Sequence, residues 1–343
     1  MKKIKIAYVD FWNDLKKTDN LFYNILKKHY EVEISDKPDY VFCSCFGEKH
    51  FNYQDCVKIF FTGENIIPDF NLYDYAMGFH FIDFEDRYLR LPLYALYEKD
   101  IPLALAKHTH DDEYYLSRKK FCNRVVSNPY AAGKRDEMYK ALDAALGVDS
   151  GGRYRNNVGG PVKDKIAFER QYRFTLAFEN CSTNGYTTEK IFQAFAGDTV
   201  PIYWGSRSIK EEFNPESFID CADYPDIPTA VEAIREIWED DERYLKMMKA
   251  PMAPEGFLAA KYLDPDYAES FLLNIFEQDK EEAIRRSMVY IGRDYQKRLK
   301  DAAKLKKALN VFKAPMHMYK KTRAQILSKK IGMTGTSRKK GEI

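Results

Sequence analysis

The sequence predicts an α/β protein with two doubly wound domains that face a cleft, followed by a helical extension. Short runs rich in Val, Ile and Phe alternate with stretches of helical spacing, which is the pattern of parallel sheets covered by helices. The alternation weakens between residues 83 and 120, where Pro92, Pro102 and a polar stretch interrupt it, and then resumes. The chain therefore contains two sheets rather than one.

The elements of each domain follow from this pattern. In the first domain we expect a helix at residues 20–28 and strands at residues 3–10, 31–35, 40–46 and 58–62. In the second we expect strands at residues 122–128, 173–178, 200–204 and 217–221, helices ending at 146 and spanning 187–196 and 229–250, and a glycine-rich loop at 151–160. The predicted domains are residues 1–118, 119–285 and 286–343. Ligands of such sheets bind at the carboxyl ends of the strands, beside the cleft.

Composition excludes several classes of protein. The 343 residues are 45% hydrophobic and 31% charged, as in a globular protein, and no run of about 18 apolar residues predicts a membrane span. Nothing near Met1 resembles a signal peptide. The six cysteines form no C-x-x-C pair, so we expect the reduced thiols of a cytoplasmic protein.

Charge is concentrated at the C-terminus. The chain carries a net charge of +2, yet residues 297–343 hold 15 Lys and Arg against two acidic residues. Apolar residues such as Leu305, Leu309 and Phe312 recur among these cations at helical spacing. A basic amphipathic helix suits an anionic membrane surface, so we expect peripheral attachment to the inner membrane. The alternative is a helix packed on the domains with a solvated end; no base-reading motif supports nucleic-acid binding.

The segment from Arg173 to Ser206 carries the sharpest chemical signal. A strand ends in Glu179-Asn180, a polar loop follows, and Thr187 or Thr188 begins a helix with Glu189 and Lys190 in its first turn. The start of a helix favours a phosphate, and Lys190 adds a full charge there. Taken alone, Thr-Thr-Glu-Lys also fits a simple helix cap.

This segment resembles glycosyltransferase family 10, the α1,3/4-fucosyltransferases. The family carries a strand ending F-E-N, a loop ending in Tyr, T-E-K on a helix, a V/I-P strand and a Gly-Ser turn. The corresponding residues are Phe178-Glu179-Asn180, Tyr186, Thr188-Glu189-Lys190, Val200-Pro201 and Gly205-Ser206. Thr62-Gly63-Glu64-Asn65 and the run from Asp86 to Tyr94 extend the similarity to the bacterial, Helicobacter-type branch. It covers residues 1 to about 280, whereas the heptad repeats of some Helicobacter members are absent.

The resemblance implies a GT-B fold, a GDP-fucose donor and inversion at the anomeric carbon. Glu64 follows a first-domain strand and would be the general base, although a surface carboxylate is the alternative. The implied donor-site residues divide by role. Arg155 and Lys190 would neutralise the leaving diphosphate, with Lys163 and Lys165 as weaker candidates. Glu189 would bind the ribose, Ser127 and Asn128 would approach the base or ribose, and the nucleotide-sugar pocket would be lined by Asn180, Tyr186 and Thr188.

Acceptor binding is assigned to aromatic residues after the first strand. Phe11 and Trp12 could stack on a sugar, or they could belong to the core. Metal binding is not expected, because Asp264-Pro265-Asp266 reads as a turn between helices and His108, His110, Asp111 and Asp112 lie in a polar linker. No P-loop or dinucleotide-binding motif is present. We therefore expect no required cofactor.

The expected function is an inverting α1,3-fucosyltransferase that acts on the GlcNAc of a Galβ1-4GlcNAc acceptor, as in a Lewis-type glycan on lipopolysaccharide. The partners are then GDP-fucose, a glycan and the inner membrane surface, with oligomerisation possible. One alternative is a GT-B transferase with α1,4 linkage or another donor. A second is a non-catalytic, membrane-associated protein that binds a nucleotide sugar or a glycan.

Overall fold

The computed structural model describes residues 1–106, 109–131 and 133–309. The chain separates into two compact units, residues 1–285 and residues 286–343. The first unit contains both sheets and is described below. Within the second, residues 290–309 are helical, and the predicted apolar and basic positions from residue 310 onward lie outside the described residues.

The first sheet has six strands, all parallel, in the order β2-β1-β3-β4-β5-β6. The central strands are apolar on both faces because helices cover both sides of the sheet. Its strands are β1 (Lys3–Val9), β2 (Glu31–Ile34), β3 (Tyr40–Cys43), β4 (Val57–Phe61), β5 (Tyr75–Gly78) and β6 (Tyr88–Arg90).

The second sheet has five parallel strands in the order β11-β10-β9-β7-β8. Its middle strand is buried along its whole length, as expected for a doubly wound sheet. The strands are β7 (Lys120–Arg124), β8 (Val148–Ser150), β9 (Tyr172–Phe178), β10 (Val200–Trp204) and β11 (Ile219–Asp220). Two parallel doubly wound sheets confirm the predicted fold class.

Twelve α-helices lie within the described part of the first unit. They are α1 (Leu21–His29), α2 (Ile101–Leu105), α3 (Asp112–Leu116), α4 (Gly133–Leu146), α5 (Lys165–Glu169), α6 (Glu189–Ala196), α7 (Ile209–Glu212), α8 (Ile227–Glu239), α9 (Asp241–Lys249), α10 (Leu258–Tyr262), α11 (Pro265–Glu277) and α12 (Lys280–Ala283). No helix among the described residues is both long enough and apolar enough to cross a bilayer.

Two features differ from the sequence-based expectation. The helix predicted at 229–250 is two helices, α8 and α9, because the Asp240 carboxylate accepts the N–H groups of Glu242 and Arg243 and so begins a new helix. Helix α11, which the predicted boundary at residue 285 groups with the second domain, packs on the first sheet. Its apolar face, including Phe271, Leu272 and Phe276, belongs to the core formed by β1, β3 and β4.

Candidate functional site

Glu64 lies just beyond the carboxyl end of β4, as the sequence predicts. The backbone N–H of Glu64 donates to the Thr62 hydroxyl over 3.0 Å, and the same hydroxyl contacts Cys45 Sγ at 3.3 Å. Thr62 is buried, whereas Glu64 is partly exposed. This short turn brings the Glu64 carboxylate to the surface at the carboxyl end of the strands of the first sheet.

Glu64 lines a cleft of about 790 Å³ at this end of the sheet. The cleft has an apolar and aromatic wall, to which Trp12, Phe46 and Tyr97 contribute, and a charged rim that includes Asp14, Lys16, Asp19, Glu98 and Lys99. Concave sites that combine aromatic surface with a few polar groups are typical of small-molecule binding. The structure thus brings Trp12 and Glu64 to one cleft.

Phe11 lies behind Trp12 rather than on the cleft. Its ring packs edge-on against Tyr8 and Trp12, with ring centroids 5.9 Å and 5.4 Å apart. Trp12 itself contacts Phe46 and Phe61 edge-on. Phe11 therefore supports the aromatic wall of the cleft from the core side.

Asp10 explains why the chain turns into the cleft after β1. This buried residue has φ +61°, a conformation that costs an ordinary residue free energy. Its carboxylate offsets that cost by accepting the N–H groups of Lys49 and His50 over 2.9 and 2.8 Å, and it also contacts His50 Nδ1 at 2.9 Å. Burial alone would raise the pKa of Asp10, but these hydrogen bonds hold the pKa below its ordinary value.

The second sheet presents a buried carboxylate at the end of β9. Glu179 is completely buried and accepts hydrogen bonds from the Thr188 N–H at 2.7 Å, the Thr188 hydroxyl and Lys190 Nζ at 2.9 Å. Burial raises its pKa, although the Lys190 charge and the Thr188 donors oppose that shift. Glu179 thereby fixes the beginning of α6.

The start of α6 carries two charged side chains, Glu189 and Lys190. Thr188 is the N-cap residue, but its hydroxyl bonds Glu179 and makes no capping hydrogen bond to the helix. The Lys190 and Glu189 side chains are each about one-fifth exposed, at 20% and 21%. Burial would raise the pKa of Glu189, but the neighbouring charges of Lys190 and Lys165 bring it below its ordinary value. A phosphate would be attracted to this helix end.

Arg135 is a site residue that the sequence did not single out. It lies in the first turns of α4 and is buried, and it donates to the Asn180 side chain at 2.8 Å and to the Asn128 carbonyl at 2.6 Å. Burial would lower the pKa of Lys190, but the Glu179 and Glu189 carboxylates raise it above its ordinary value; the Arg135 charge opposes that rise, so the two cations are neighbours. The sequence could have indicated Arg135 only if the contact between the helix that follows Ser127-Asn128 and the loop at Asn180 were already known.

The remaining predicted donor residues are not all brought together. Arg155 has φ +51°, and its guanidinium contacts Asp136 at 3.3 Å and the Tyr154 hydroxyl at 3.2 Å rather than the Glu179–Lys190 pair. Ser127 is exposed and accepts the Arg153 N–H over 3.4 Å, while Lys163 is exposed on its loop.

Lys165 contacts the middle of α6 rather than its start. Its ammonium donates to Gln193 over 2.8 Å and lies 3.6 Å from the buried carboxylate of Glu169. Gln193 in turn donates to Asp100, which lines the first-sheet cleft. Lys165 thus contributes its charge to the site through its nearness to Glu189.

Tyr186 is buried where the two sheets meet. Its ring packs edge-on against Phe79, which follows β5, with ring centroids 4.9 Å apart. Burial raises its pKa, and the charges of Glu179 and Glu64 raise it further. Tyr186 is therefore near both carboxylates, Glu64 of the first sheet and Glu179 of the second.

Asn65 connects the loop that follows β4 in the first sheet to the loop that follows β9 in the second. Its side-chain amide donates to Thr183 Oγ1 at 2.8 Å and to Cys181 Sγ at 3.1 Å. Asn65 follows Glu64, and Cys181 and Thr183 belong to the loop between Asn180 and Tyr186. The loop that follows Glu64 and the loop that leads to α6 are therefore in direct contact.

Metal ligands are a separate question. Over the described ranges, no group of three or more His, Cys, Asp or Glu side chains is arranged to hold a metal ion. Within the described residues, none of the six cysteines forms a disulfide bond, and four of them are buried.

Comparison with protein families gives two adjacent matches. The model described as "Alpha-(1,3)-fucosyltransferase FucT N-terminal domain" matches residues 6–97. The model described as "Glycosyltransferase family 10 (fucosyltransferase) C-term" matches residues 115–249. The first match runs from within β1 to beyond β6 and includes Glu64, and the second contains β7 to β11 with Glu179 and Lys190.

Individual relatives agree with the family models. The Helicobacter pylori protein named alpha-(1,3)-fucosyltransferase FucT is 36% identical over 284 residues, which are 71% of this chain and 59% of that protein. A crystal structure of an α1,3-fucosyltransferase superimposes with a TM-score of 0.72 at 31% identity, covering 84% of this chain and 93% of the other. The structure described with GDP-fucose gives 0.69 at 31% identity, covering 83% and 93%.

Proposed function

Because the chain belongs to glycosyltransferase family 10, the fucosyltransferases, we propose that it transfers L-fucose from GDP-fucose to a sugar hydroxyl. One observation carries the proposal: the loop that ends at Glu64 is hydrogen-bonded, through Asn65, to the loop that leads to Lys190. A carboxylate able to accept a proton thus shares a site with cations able to hold a diphosphate. The similarity to an α1,3-fucosyltransferase described with GDP-fucose supports the same donor.

The second domain would hold GDP and assist its departure. When the bond between the anomeric carbon and the β-phosphate oxygen breaks, its electron pair leaves with GDP and negative charge grows on that phosphate. Lys190, the N–H groups at the start of α6 and the neighbouring Arg135 offer positive charge to it. Glu189, kept ionised by Lys190 and Lys165, would accept hydrogen bonds from the ribose hydroxyls. We expect no metal requirement, because these fixed groups supply the charge.

The first domain would bind the acceptor and activate it. Glu64 accepts the proton of the attacking hydroxyl as the new bond forms on the face of fucose opposite GDP, so the configuration at the anomeric carbon inverts. Trp12 and Phe46 offer the apolar faces on which a sugar ring packs. Within this function, the acceptor we favour is the GlcNAc of Galβ1-4GlcNAc, fucosylated at O3 as in a Lewis-type glycan on lipopolysaccharide.

The basic C-terminal segment suggests where in the cell the protein would bind such an acceptor. We propose that the chain works in the cytoplasm at the inner membrane surface, held there peripherally by the basic segment from residue 297 onward. Most of that segment lies outside the described residues. Its composition, with 15 Lys and Arg residues against two acidic ones, supports the proposal.

Transfer assays with defined acceptors test the function. The protein is incubated with GDP-fucose and either Galβ1-4GlcNAc or Galβ1-3GlcNAc in EDTA, and the linkage of the product is determined by NMR. We expect an α1,3 product from the first acceptor. An α1,4 product from the second would support the alternative linkage, and GDP binding without transfer to either would favour a non-catalytic nucleotide-sugar-binding protein.

A further inference from the structure

The loop of residues 181–187 belongs to the second sheet but is held by side chains of the first. Arg90, at the end of β6, donates to the Gly185 carbonyl at 2.9 Å and to Glu212 at 2.8 Å. Glu212 in turn accepts the Thr187 hydroxyl at 2.7 Å. Gly185 has φ +83°, and a Cβ there would lie 2.4 Å from the Phe79 carbonyl oxygen. The C-terminal half of this loop is therefore fixed against the first sheet.

The N-terminal half of the same loop is held to the first sheet by the Asn65 side chain, while its own Ser182 hydroxyl donates to the Gly205 carbonyl at 2.7 Å. The Asn65 amide nitrogen bonds both Thr183 and Cys181, whereas its carbonyl oxygen is buried and has no hydrogen-bond partner among the described residues. Asn65 immediately follows Glu64, whose backbone N–H is tied to Thr62. Any displacement of the loop is thus transmitted to the residue beside the carboxylate.

We propose that Asn65 is a positioning residue that aligns the Glu64 carboxylate with the donor sugar. The inference rests on the proposed function, in which Glu64 serves the acceptor and the 181–187 loop leads into the donor helix. Asn65 acts through Thr183 and Cys181 and need not touch either substrate. Small misplacements of a reacting group cost far more rate than the lost hydrogen bond itself, because catalysis depends on alignment.

The contacts separate this role from a general effect on folding. Replacing Asn65 by Ala removes two hydrogen bonds but also removes a buried carbonyl that has no partner, so the two effects on stability oppose each other. The Arg90–Glu212 pair continues to hold the other half of the loop. Lys190, Glu189 and Arg135 stay in place, so nucleotide affinity is preserved.

Steady-state kinetics and calorimetry of Asn65→Ala, Thr183→Val and the double variant test the proposal. We expect Asn65→Ala to lower kcat about tenfold while the Kd for GDP stays within twofold of the parent. Thr183→Val has a smaller effect because Cys181 still accepts from Asn65. The double variant should have the kcat of Asn65→Ala, since both changes break one link. Independent losses that multiply, or a parallel loss of GDP affinity, would overturn the proposal.

Two controls complete the design. Cys181→Ser keeps an acceptor for the Asn65 amide and should retain full kcat in the parent background. Asn274→Ala removes an exposed asparagine whose amide contacts Asp86 on another element, and its kcat should equal that of the parent. If the parent binds GDP but transfers fucose to no acceptor, the proposed function fails. If the parent is active and Asn65→Ala is equally active, only the positioning role fails.

Discussion

The ammonium of Lys190 lies 2.9 Å from the carboxylate of Glu179, a residue that is completely buried. The pair fixes a cation at the start of α6, yet the carboxylate balances part of its charge. A diphosphate leaving group therefore needs a further cation nearby, and Arg135 provides one through its contacts with Asn180 and Asn128. In the proposed function, three segments distant in sequence would thus build one anion site.

The first prediction concerns this ion pair. Lys190→Ala leaves the Glu179 carboxylate buried without its cation, so we expect the free energy of unfolding at pH 8 to fall by about 3 kcal/mol. Urea unfolding measures that fall. The burial that raises the pKa of Glu179 should make protonation relieve the loss, so the difference from the parent should shrink toward pH 5. Equal destabilisation at both pH values would show that the charge of Glu179 is not its cause.

Arg135 gives a second prediction. Arg135→Lys keeps the charge but cannot bridge Asn128 and Asn180 at once, so we expect GDP affinity to fall roughly tenfold, and further in Arg135→Ala. Isothermal titration with GDP measures both. Lys140→Ala, on an exposed face of the same helix, is the matched control and should bind GDP like the parent. Unchanged affinity in Arg135→Ala would remove this residue from the site.

Glu64 gives a third prediction. Glu64→Gln keeps the shape of the side chain but cannot accept a proton, so we expect kcat to fall by about 10² to 10⁴. The affinity for GDP should not change, because Glu64 lies on the first-sheet edge. Kinetics and GDP titration are run beside Glu232→Gln, which changes an exposed carboxylate that lies 3.3 Å from Arg235 Nε on α8. Full activity in Glu64→Gln would reject it as the base and leave the fold assignment untouched.

Glu169 gives a prediction about pH. This buried carboxyl lies against Gly197, and burial raises its pKa to about 7 despite Lys165 nearby. Because its folded pKa lies above its unfolded value, its stabilising contribution is present below about pH 4.5 and is lost as the pH rises through 7. We expect Glu169→Gln to be more stable than the parent at pH 8, by about 3 kcal/mol.

Unfolding titrations from pH 5 to pH 8 measure this difference. It should diminish steadily toward pH 5, where the parent carboxyl is largely protonated in the folded state. A stability difference that does not depend on pH would mean that the carboxyl does not change its charge over this range.

Much of the fold could be predicted because its longer elements carry strong local signals. The buried run of β9 and the amphipathic pattern of α6 are visible in the residues themselves. The strands β5, β6 and β8 were not predicted. Strand β6 lies within residues 83–120, where the alternation weakens, and two of the three residues of β8 are polar. Helix α11 packs on the first sheet through contacts far apart in sequence, which no local pattern reveals.

The site residues also divide into those that the sequence indicated and those that only the structure reveals. Glu64 lies at the carboxyl end of a strand and Lys190 in a first helical turn, positions that also fit a surface carboxylate and a helix cap, so it was the resemblance to family 10 that indicated them. Arg135 has no motif of its own and becomes recognisable only beside Asn180. Arg155 stays a predicted phosphate ligand. Its guanidinium contacts Asp136 in the structure, a partner that the sequence of the loop does not indicate.

The donor is the central claim, and calorimetric titration of the full chain with GDP-fucose, GDP and UDP in EDTA tests it most directly. Lys190, Arg135 and the start of α6 predict binding of both guanine ligands without a metal, and family membership predicts that UDP does not bind. Failure of a folded protein to bind GDP or GDP-fucose would contradict the account.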